Sequence, residues 1–497
     1  MTRLSNATLA HLDPHVSVPS YRRTALTPGM AHIGVGGFHR AHQAMYLDRL
    51  MEAGQAHDWG IVGIGVMPGD RRMQEALASQ DYLYTLVVKH PNGVLEPRVI
   101  GSIIDYRYAP DDPEGVIEML ADPAIRIVSL TVTEGGYNVH PITGEFDLET
   151  ADVLHDLEHP MAPRSSFGLV VAAIERRRDR GLAPFTVMSC DNIPGNGDVA
   201  RRMFGAFAHA RDPQLGQYLE AQVPFPNSMV DRITPVTTPA DIEELHQRFD
   251  LEDAWPVICE PFTQWVLEDH FAMGRPALDD VGVQVVEDVE PYELMKLRLL
   301  NASHQAMCYL GYLAGYRYAH EVCQDPLFVE FLLGYMEDEG SPTLPEVPGV
   351  DLDQYRHTLI ERFANPEIKD TLARLCAESS DRIPKWLVPV IRRQLEQGGA
   401  LKRSATVVAS WARYAEGVDE QGQPIAVVDR LKDQLTPIAA SQQARPTAFI
   451  ENRELFGSLA EAPRFVDAYV EALKRLQQQG ARATLEALAA DETRSQV

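Results

Sequence analysis

Short apolar runs punctuate the first half of the chain: Ala31–Gly36, Gly60–Val66, Ile125–Thr133, Phe185–Ser189, Val257–Cys259 and Val281–Val286. They are rich in Val and Ile and show little internal polar alternation. Strands buried on both faces of a parallel sheet, with helices covering it, read this way. Between the first two runs, Arg40–Ala53 places Leu47, Leu50 and Met51 on one helical face and stops at Gly54. Strand, glycine-rich turn, helix and strand make a βαβ unit. From Pro291 onward extended runs nearly vanish and helical spacing takes over. Val466, Tyr469, Val470, Leu473 and Leu476 share a face, and Asp353–Phe363, Asp370–Cys376, Trp386–Gln397 and Ala405–Tyr414 read similarly. Gly340–Gly349, with three prolines, reads as a surface connection. The pattern predicts an α/β domain over residues 1–287 and a mainly helical domain over 288–497.

Composition narrows the function. The 497 residues hold 71 acidic against 45 basic side chains, a formal charge of −26. Such a surface repels phosphate backbones and anionic lipid, which excludes nucleic-acid and membrane binding as the main role. No apolar run approaches the roughly 18 residues that span a bilayer. Met1 to Pro14 lacks the apolar stretch of a signal peptide. Cys190, Cys259, Cys308, Cys323 and Cys376 form no C-x-x-C pair, which suits reduced thiols. A cytoplasmic enzyme is expected.

His32-Ile33-Gly34-Val35-Gly36-Gly37-Phe38-His39 follows a strand and opens a helix. Glycines in that place let the backbone turn sharply and approach a pyrophosphate, which the helix start then binds through N–H groups. His39 occupies the third glycine position of G-x-G-x-x-G, and a tight turn without a ligand is the plain alternative. In an open parallel sheet, ligands sit beyond the carboxyl ends of the strands. Met67-Pro68-Gly69-Asp70-Arg71-Arg72, Thr131-Val132-Thr133-Glu134-Gly135-Gly136 and Cys190-Asp191-Asn192 bring polar groups to that edge. The first domain is therefore expected to be Rossmann-type, with Ile33, Gly34, Val35, Gly36, Gly37, Phe38, Asp70 and Arg71 as cofactor-binding residues. Asp70 suits an adenosine ribose, while Arg71 and Arg72 suit a 2′-phosphate. NAD is the expected cofactor, and NADP stays open.

Lys296, Asn301 and His304 follow Pro291 in a K-x-x-x-x-N-x-x-H spacing. On an α-helix Asn301 lies about 140° and His304 about 80° around from Lys296, so all three can face one side over about 12 Å of axial rise. Leu299, Leu300, Met307, Leu310 and Leu313 would desolvate their side. Burial disfavours the charged form of a lysine, and an uncharged lysine can act as general base. Alcohol oxidation needs such a base, with donors for the negative charge that builds on oxygen. Asn301 and Asn192 can donate without titrating, and His304 can orient the hydroxyl. A solvated lysine, a capping asparagine and a core histidine form the plain alternative. Tyr292-x-x-x-Lys296 offers a competing base, the tyrosine of short-chain dehydrogenases. No H-E-x-x-H, tight Cys/His cluster or G-x-S-x-G elbow occurs, so no metal is expected.

Six stretches together resemble the polyol-specific long-chain dehydrogenase/reductase (mannitol dehydrogenase) family: His32–Ala44, Ile127–Tyr137, Phe185–Asn192, Phe225–Pro235, Cys259–Asp269 and Lys296–His304. The likeness runs from about Leu4 to Leu488. It implies metal-independent, NAD(P)-linked oxidation of a secondary alcohol on a sugar alcohol, foremost D-mannitol to D-fructose. Sibling substrates are D-arabinitol, D-sorbitol and fructuronate. It assigns the base to Lys296, the oxyanion donors to Asn192 and Asn301, substrate positioning to His304, proton passage to Glu134 and a substrate contact to Arg374. Ala302 stands where glycine is usual, Gly69 where a glutamate can precede the aspartate, and Glu378-Ser379-Ser380 lacks a frequent glycine. The expected partner is a small polyol or ketose, the expected state a monomer or weak homo-oligomer. A dinucleotide sensor without turnover is the alternative from another class.

Overall fold

Pro28–Ile33 (β1), Gly60–Gly65 (β2), Ile103–Tyr108 (β3), Ile127–Leu130 (β4) and Thr186–Ser189 (β5) form one parallel sheet in the order β3-β2-β1-β4-β5. The computed structural model describes residues 2–140 and 143–495, the side chains beyond 491 excepted. It divides into two compact units, Met1–Glu290 and Pro291–Val497. In the first, alternate residues of each strand face opposite sides. Ala31, Ile33, Val128, Leu130 and Val187 pack on one side with Val116 and Leu120 of Pro113–Ala121 and with Leu169 and Val170 of Ser166–Asp179. Met30, Ile61, Ile103, Ile127 and Met188 pack on the other with Ala44, Leu47 and Leu50. Burial on both sides is why these strands carry no polar alternation.

The helix read over Arg40–Ala53 is two helices, α1 (Gly37–Ala41) and α2 (Gln43–Glu52). His42 separates them at φ −127°, ψ −89°. Its ring is tied to the Gln264 carbonyl at 2.8 Å and receives the Gln43 amide at 2.8 Å, so tertiary bonds override local helix propensity. Two expected strands lie outside the five-stranded sheet. Val257–Cys259 pairs with Tyr84–Lys89, which pairs antiparallel with Leu95–Ile100. The run Val281–Val286 yields only the strand Gln284–Val286, in a sheet with Gln264–Glu268 and Ser228–Asp231. β3 and the Tyr84–Ile100 hairpin carry Lys, Glu, Arg and Asp, which hid them from an apolar-run reading.

The second unit is helical. Ala302–Leu313 (α3) is buried nearly all round and packs against Lys402–Tyr414 (α4), which in turn packs against Pro463–Ser495 (α5). The expected face of α5 is present, with Tyr469, Leu473 and Leu476 buried. The helix breaks at Gly480, whose φ is +83°. The segment read as Trp386–Gln397 is a helix over Val388–Gln397, which Leu387 separates from the preceding helix Ser379–Trp386. Gly340 is buried rather than part of a surface loop. All five cysteines are buried and free, and among the described residues no helix is long and apolar enough to cross a membrane.

Candidate active site

The glycine turn is built at the carboxyl end of β1. Gly34 has φ +91°, and a methyl group placed on it would stand 2.2 Å from the Thr131 carbonyl oxygen. Only glycine meets both conditions. Thr131 locks the turn by donating its hydroxyl to the Gly34 carbonyl at 2.7 Å, and the Gly36 N–H closes back on the same carbonyl at 2.7 Å. A methyl group on Gly36 would meet no heavy atom nearer than 3.9 Å, so the start of α1 has open space for a pyrophosphate. Beneath the turn, the His32 ring bonds Ser129 Oγ at 2.7 Å and Thr131 Oγ1 at 2.9 Å. It stacks on His39 with centroids 3.4 Å apart. Both rings are fully buried, and burial pushes the His32 imidazole down to about 3 and His39 well below its ordinary value. The residue in the third glycine position is thus a packed, neutral ring.

At the end of β2, Asp70 Oδ2 accepts the N–H groups of Val66 and Met67, each at 2.9 Å. The carboxylate therefore shapes the turn with one oxygen. Arg71 is held by Asp111 and lies over the Tyr108 ring, and Arg72 lies over Trp255 at 4.8 Å.

At the ends of β4 and β5, Asp191 organises the loop that carries Glu134. Its carboxylate accepts Thr133 N–H at 2.7 Å, Val132 N–H at 3.1 Å and the Tyr137 hydroxyl at 2.7 Å. Those bonds hold Thr133 at φ +63°, ψ 171°, a strained backbone for a β-branched residue. Burial raises the Asp191 carboxyl above its usual range, and the three hydrogen bonds oppose that rise. Glu134 and Asn192 are exposed at this edge. In the sequence, Asp191 stands out only as part of a polar strand end. A carboxylate beside the candidate asparagine was the available signal, whereas the Thr133 conformation left none.

In the second unit, the segment read as one α-helix changes its winding where the chemistry lies. Lys296–Asn301 is a π-helical turn between Glu290–Met295 and α3. With hydrogen bonds five residues apart, each residue advances about 80–90° instead of about 100°. Asn301 then lies about 60° around from Lys296 rather than about 140°. Lys296 is 7% exposed and Asn301 5%. His304 follows on α3, its ring 4.7 Å from that of buried Phe363. The competing base, Tyr292, is buried and donates its hydroxyl to the Pro348 carbonyl at 2.8 Å.

Arg374 lies in Leu372–Cys376, a short helix packed on α3. Its guanidinium grips Asp370 with two parallel bonds, 2.7 and 2.6 Å, which raise its already high pKa further. Gln305 and Arg382 both donate to the Leu375 carbonyl and fix this helix to its surroundings. Among the described residues no cluster of three His, Cys, Asp or Glu side chains is placed to hold a metal ion.

A glycine turn at the carboxyl edge of a sheet in β3-β2-β1-β4-β5 order, followed by a helical unit with a buried lysine, places the protein in the class of dinucleotide-linked dehydrogenases. Comparison with known proteins sharpens this. Residues 28–280 match the mannitol dehydrogenase Rossmann domain and residues 288–477 the mannitol dehydrogenase C-terminal domain. A mannitol 2-dehydrogenase of Phaeosphaeria nodorum is 46% identical across 97% of this chain and 85% of its own length. One from Aspergillus fumigatus is 45% identical across 95% of each. The Pseudomonas fluorescens mannitol 2-dehydrogenase, solved as a ternary complex with NAD and D-mannitol, is 45% identical with a TM-score of 0.86, over 98% of this chain and 99% of that one. A substrate-free D-sorbitol dehydrogenase is 38% identical with a TM-score of 0.92, over 97% and 100%. The chain belongs to the mannitol dehydrogenase family.

Proposed function

We propose that this protein is an NAD-dependent polyol dehydrogenase that interconverts D-mannitol and D-fructose. The observation that carries this is the buried Lys296–Asn301 pair on its π turn, in a chain 45% identical over nearly its whole length to an enzyme solved with NAD and D-mannitol. Ile33, Gly34, Val35, Gly36, Gly37 and Phe38 form the cradle, and the open space at Gly36 fits a dinucleotide. When bound there, NAD supplies the hydride acceptor. Asp70 serves the adenosine ribose through the oxygen that the turn does not engage. The pairing of Arg71 with Asp111 lowers its pull on a 2′-phosphate, which favours NAD over NADP.

Lys296 Nζ takes the hydroxyl proton of the alcohol. The amides of Asn301 and Asn192 donate to the oxygen on which charge builds. His304 donates to or accepts from that hydroxyl and orients it. Glu134, exposed on the loop that Asp191 braces, passes the proton to solvent. Arg374 meets the substrate through the N–H groups left over from Asp370. Because Asp370 cancels its charge, a neutral polyol suits the site better than a uronate. D-sorbitol oxidation is a second reading, supported by the likeness to D-sorbitol dehydrogenase. The five buried thiols suit a reducing cytoplasm, and a monomer or weak homo-oligomer is the proposed state.

One screen tests the reading. NAD and NADP are each combined with D-mannitol, D-sorbitol and D-arabinitol, and nicotinamide absorbance is followed with and without a chelator. D-mannitol with NAD should give the highest kcat/KM, insensitive to chelator. No reduction with any polyol would leave a dinucleotide sensor, and loss with chelator would reveal a metal enzyme.

A further inference from the structure

The turn that carries Lys296 and Asn301 packs against a second π-helical turn, Tyr335–Gly340. In an α-helix, the Ala302 N–H would bond the carbonyl four residues back, that of Arg298. Here it donates to the carbonyls of Leu297 and Leu299, five and three residues back, and passes over Arg298. The Tyr335 hydroxyl donates to that skipped carbonyl at 2.9 Å. Tyr335 is fully buried, and burial holds its phenol well above the ordinary range, so it stays a donor at every working pH.

The second turn is built to present that hydroxyl. Gly340 comes so close that a methyl group on it would stand 2.8 Å from Leu299 Cδ2 and 3.4 Å from the Arg298 carbonyl oxygen. The guanidinium of Arg298 reaches back to the Thr343 carbonyl. Glu339, buried, accepts the N–H groups of Arg403 and Ser404 at 2.7 Å each and so is pinned to the start of α4, where unpaired N–H groups favour a carboxylate. Gln394 donates to the Glu339 carbonyl at 2.6 Å. Tyr335 is therefore held from behind by the helical core while it touches the turn in front.

We propose that Tyr335 is a positioning residue: by bonding the carbonyl that the Ala302 N–H bypasses, it holds Lys296–Asn301 in π register and keeps Asn301 on the Lys296 side. Without that bond, the Ala302 N–H can return to the Arg298 carbonyl, the turn relaxes to α, and Asn301 swings away by about 80°. The inference rests on the roles proposed above for Lys296 and Asn301.

The test is Tyr335→Phe, which removes one oxygen and keeps the ring. With D-mannitol and NAD, kcat should fall by on the order of 100-fold or more, because a misplacement of only about an ångström already costs about that much and a swing of about 80° exceeds it. The NAD dissociation constant should stay within about twofold, and the pH profile of kcat/KM should shift, because the surroundings of the base change. Gly340→Ala, which pushes on Leu299 from the same side, should give the same signature by a different route. A lowered melting temperature with unchanged kcat and pH profile in both variants would make Tyr335 merely structural and overturn the proposal. Lys296→Ala, measured alongside, keeps the two ideas apart. If it is active, the base assignment has failed; if it is dead while Tyr335→Phe is normal, only the positioning role has failed.

Discussion

Acid should loosen the dinucleotide turn through His32. Unfolded, an imidazole titrates near 6.5; in the folded chain burial pushes His32 down to about 3. The folded pKa is the lower one, so the proton is taken up on unfolding. The stability that neutral His32 contributes is complete above about pH 6.5 and drains away as pH falls toward 3. Each unit in that window removes about 1.4 kcal/mol, so His32 alone removes about 3 kcal/mol by pH 4. His39, stacked on it and shifted the same way, adds to the loss. The assay is amide hydrogen exchange of the β1 peptide from pH 7 to 4, on the parent and on His32→Gln. The common pH dependence of exchange and of the carboxylates cancels in the comparison. The parent should lose protection more steeply, by about one proton, or about 1.4 kcal/mol per pH unit. Equal slopes in parent and variant would mean that His32 is not kept neutral by the fold, and the reasoning would be refuted.

Two substitutions probe the rest of the site. Gly34→Ala forces a side chain into φ +91° and against the Thr131 carbonyl; NAD affinity by fluorescence titration should drop by more than about tenfold, and an unchanged dissociation constant would remove this turn from the cofactor site. Asp370→Asn uncovers the charge of Arg374, so the ratio of kcat/KM for fructuronate over D-fructose, with NADH, should rise about three- to tenfold, a modest gain because the guanidinium is 58% exposed. A constant ratio would show that the pair does not select against carboxylates.

Much of this was legible in the sequence, for reasons that differ by element. β1, β2, β4 and β5 are buried on both faces, so apolar runs betray them; β3 and the hairpin before it alternate or carry charge and do not. The glycine turn was legible because Gly34 has a backbone conformation and a close neighbour that exclude other residues. The break at His42 was not, since it is imposed by Gln264, 222 residues away. Lys296, Asn301 and His304 were visible by spacing and can share one side of an α-helix, but that geometry sets Asn301 about 140° from Lys296. The π turn that corrects this depends on Tyr335 and Gly340, and sequence spacing does not report such a partner. Arg374 was named without its Asp370, although the i, i+4 spacing was in view. Asp191 shows the same gap: the residue was seen, and the three donors that it gathers were not.

The most direct measurement concerns the amine at position 296. Lys296→Ala should lose several orders of magnitude in kcat for D-mannitol while NAD still binds, and added methylamine should restore part of the turnover in proportion to its unprotonated fraction. A variant that keeps turnover within about tenfold of the parent, or one that lies beyond rescue by any small amine while folding and binding NAD normally, would contradict the assignment of proton transfer to this lysine.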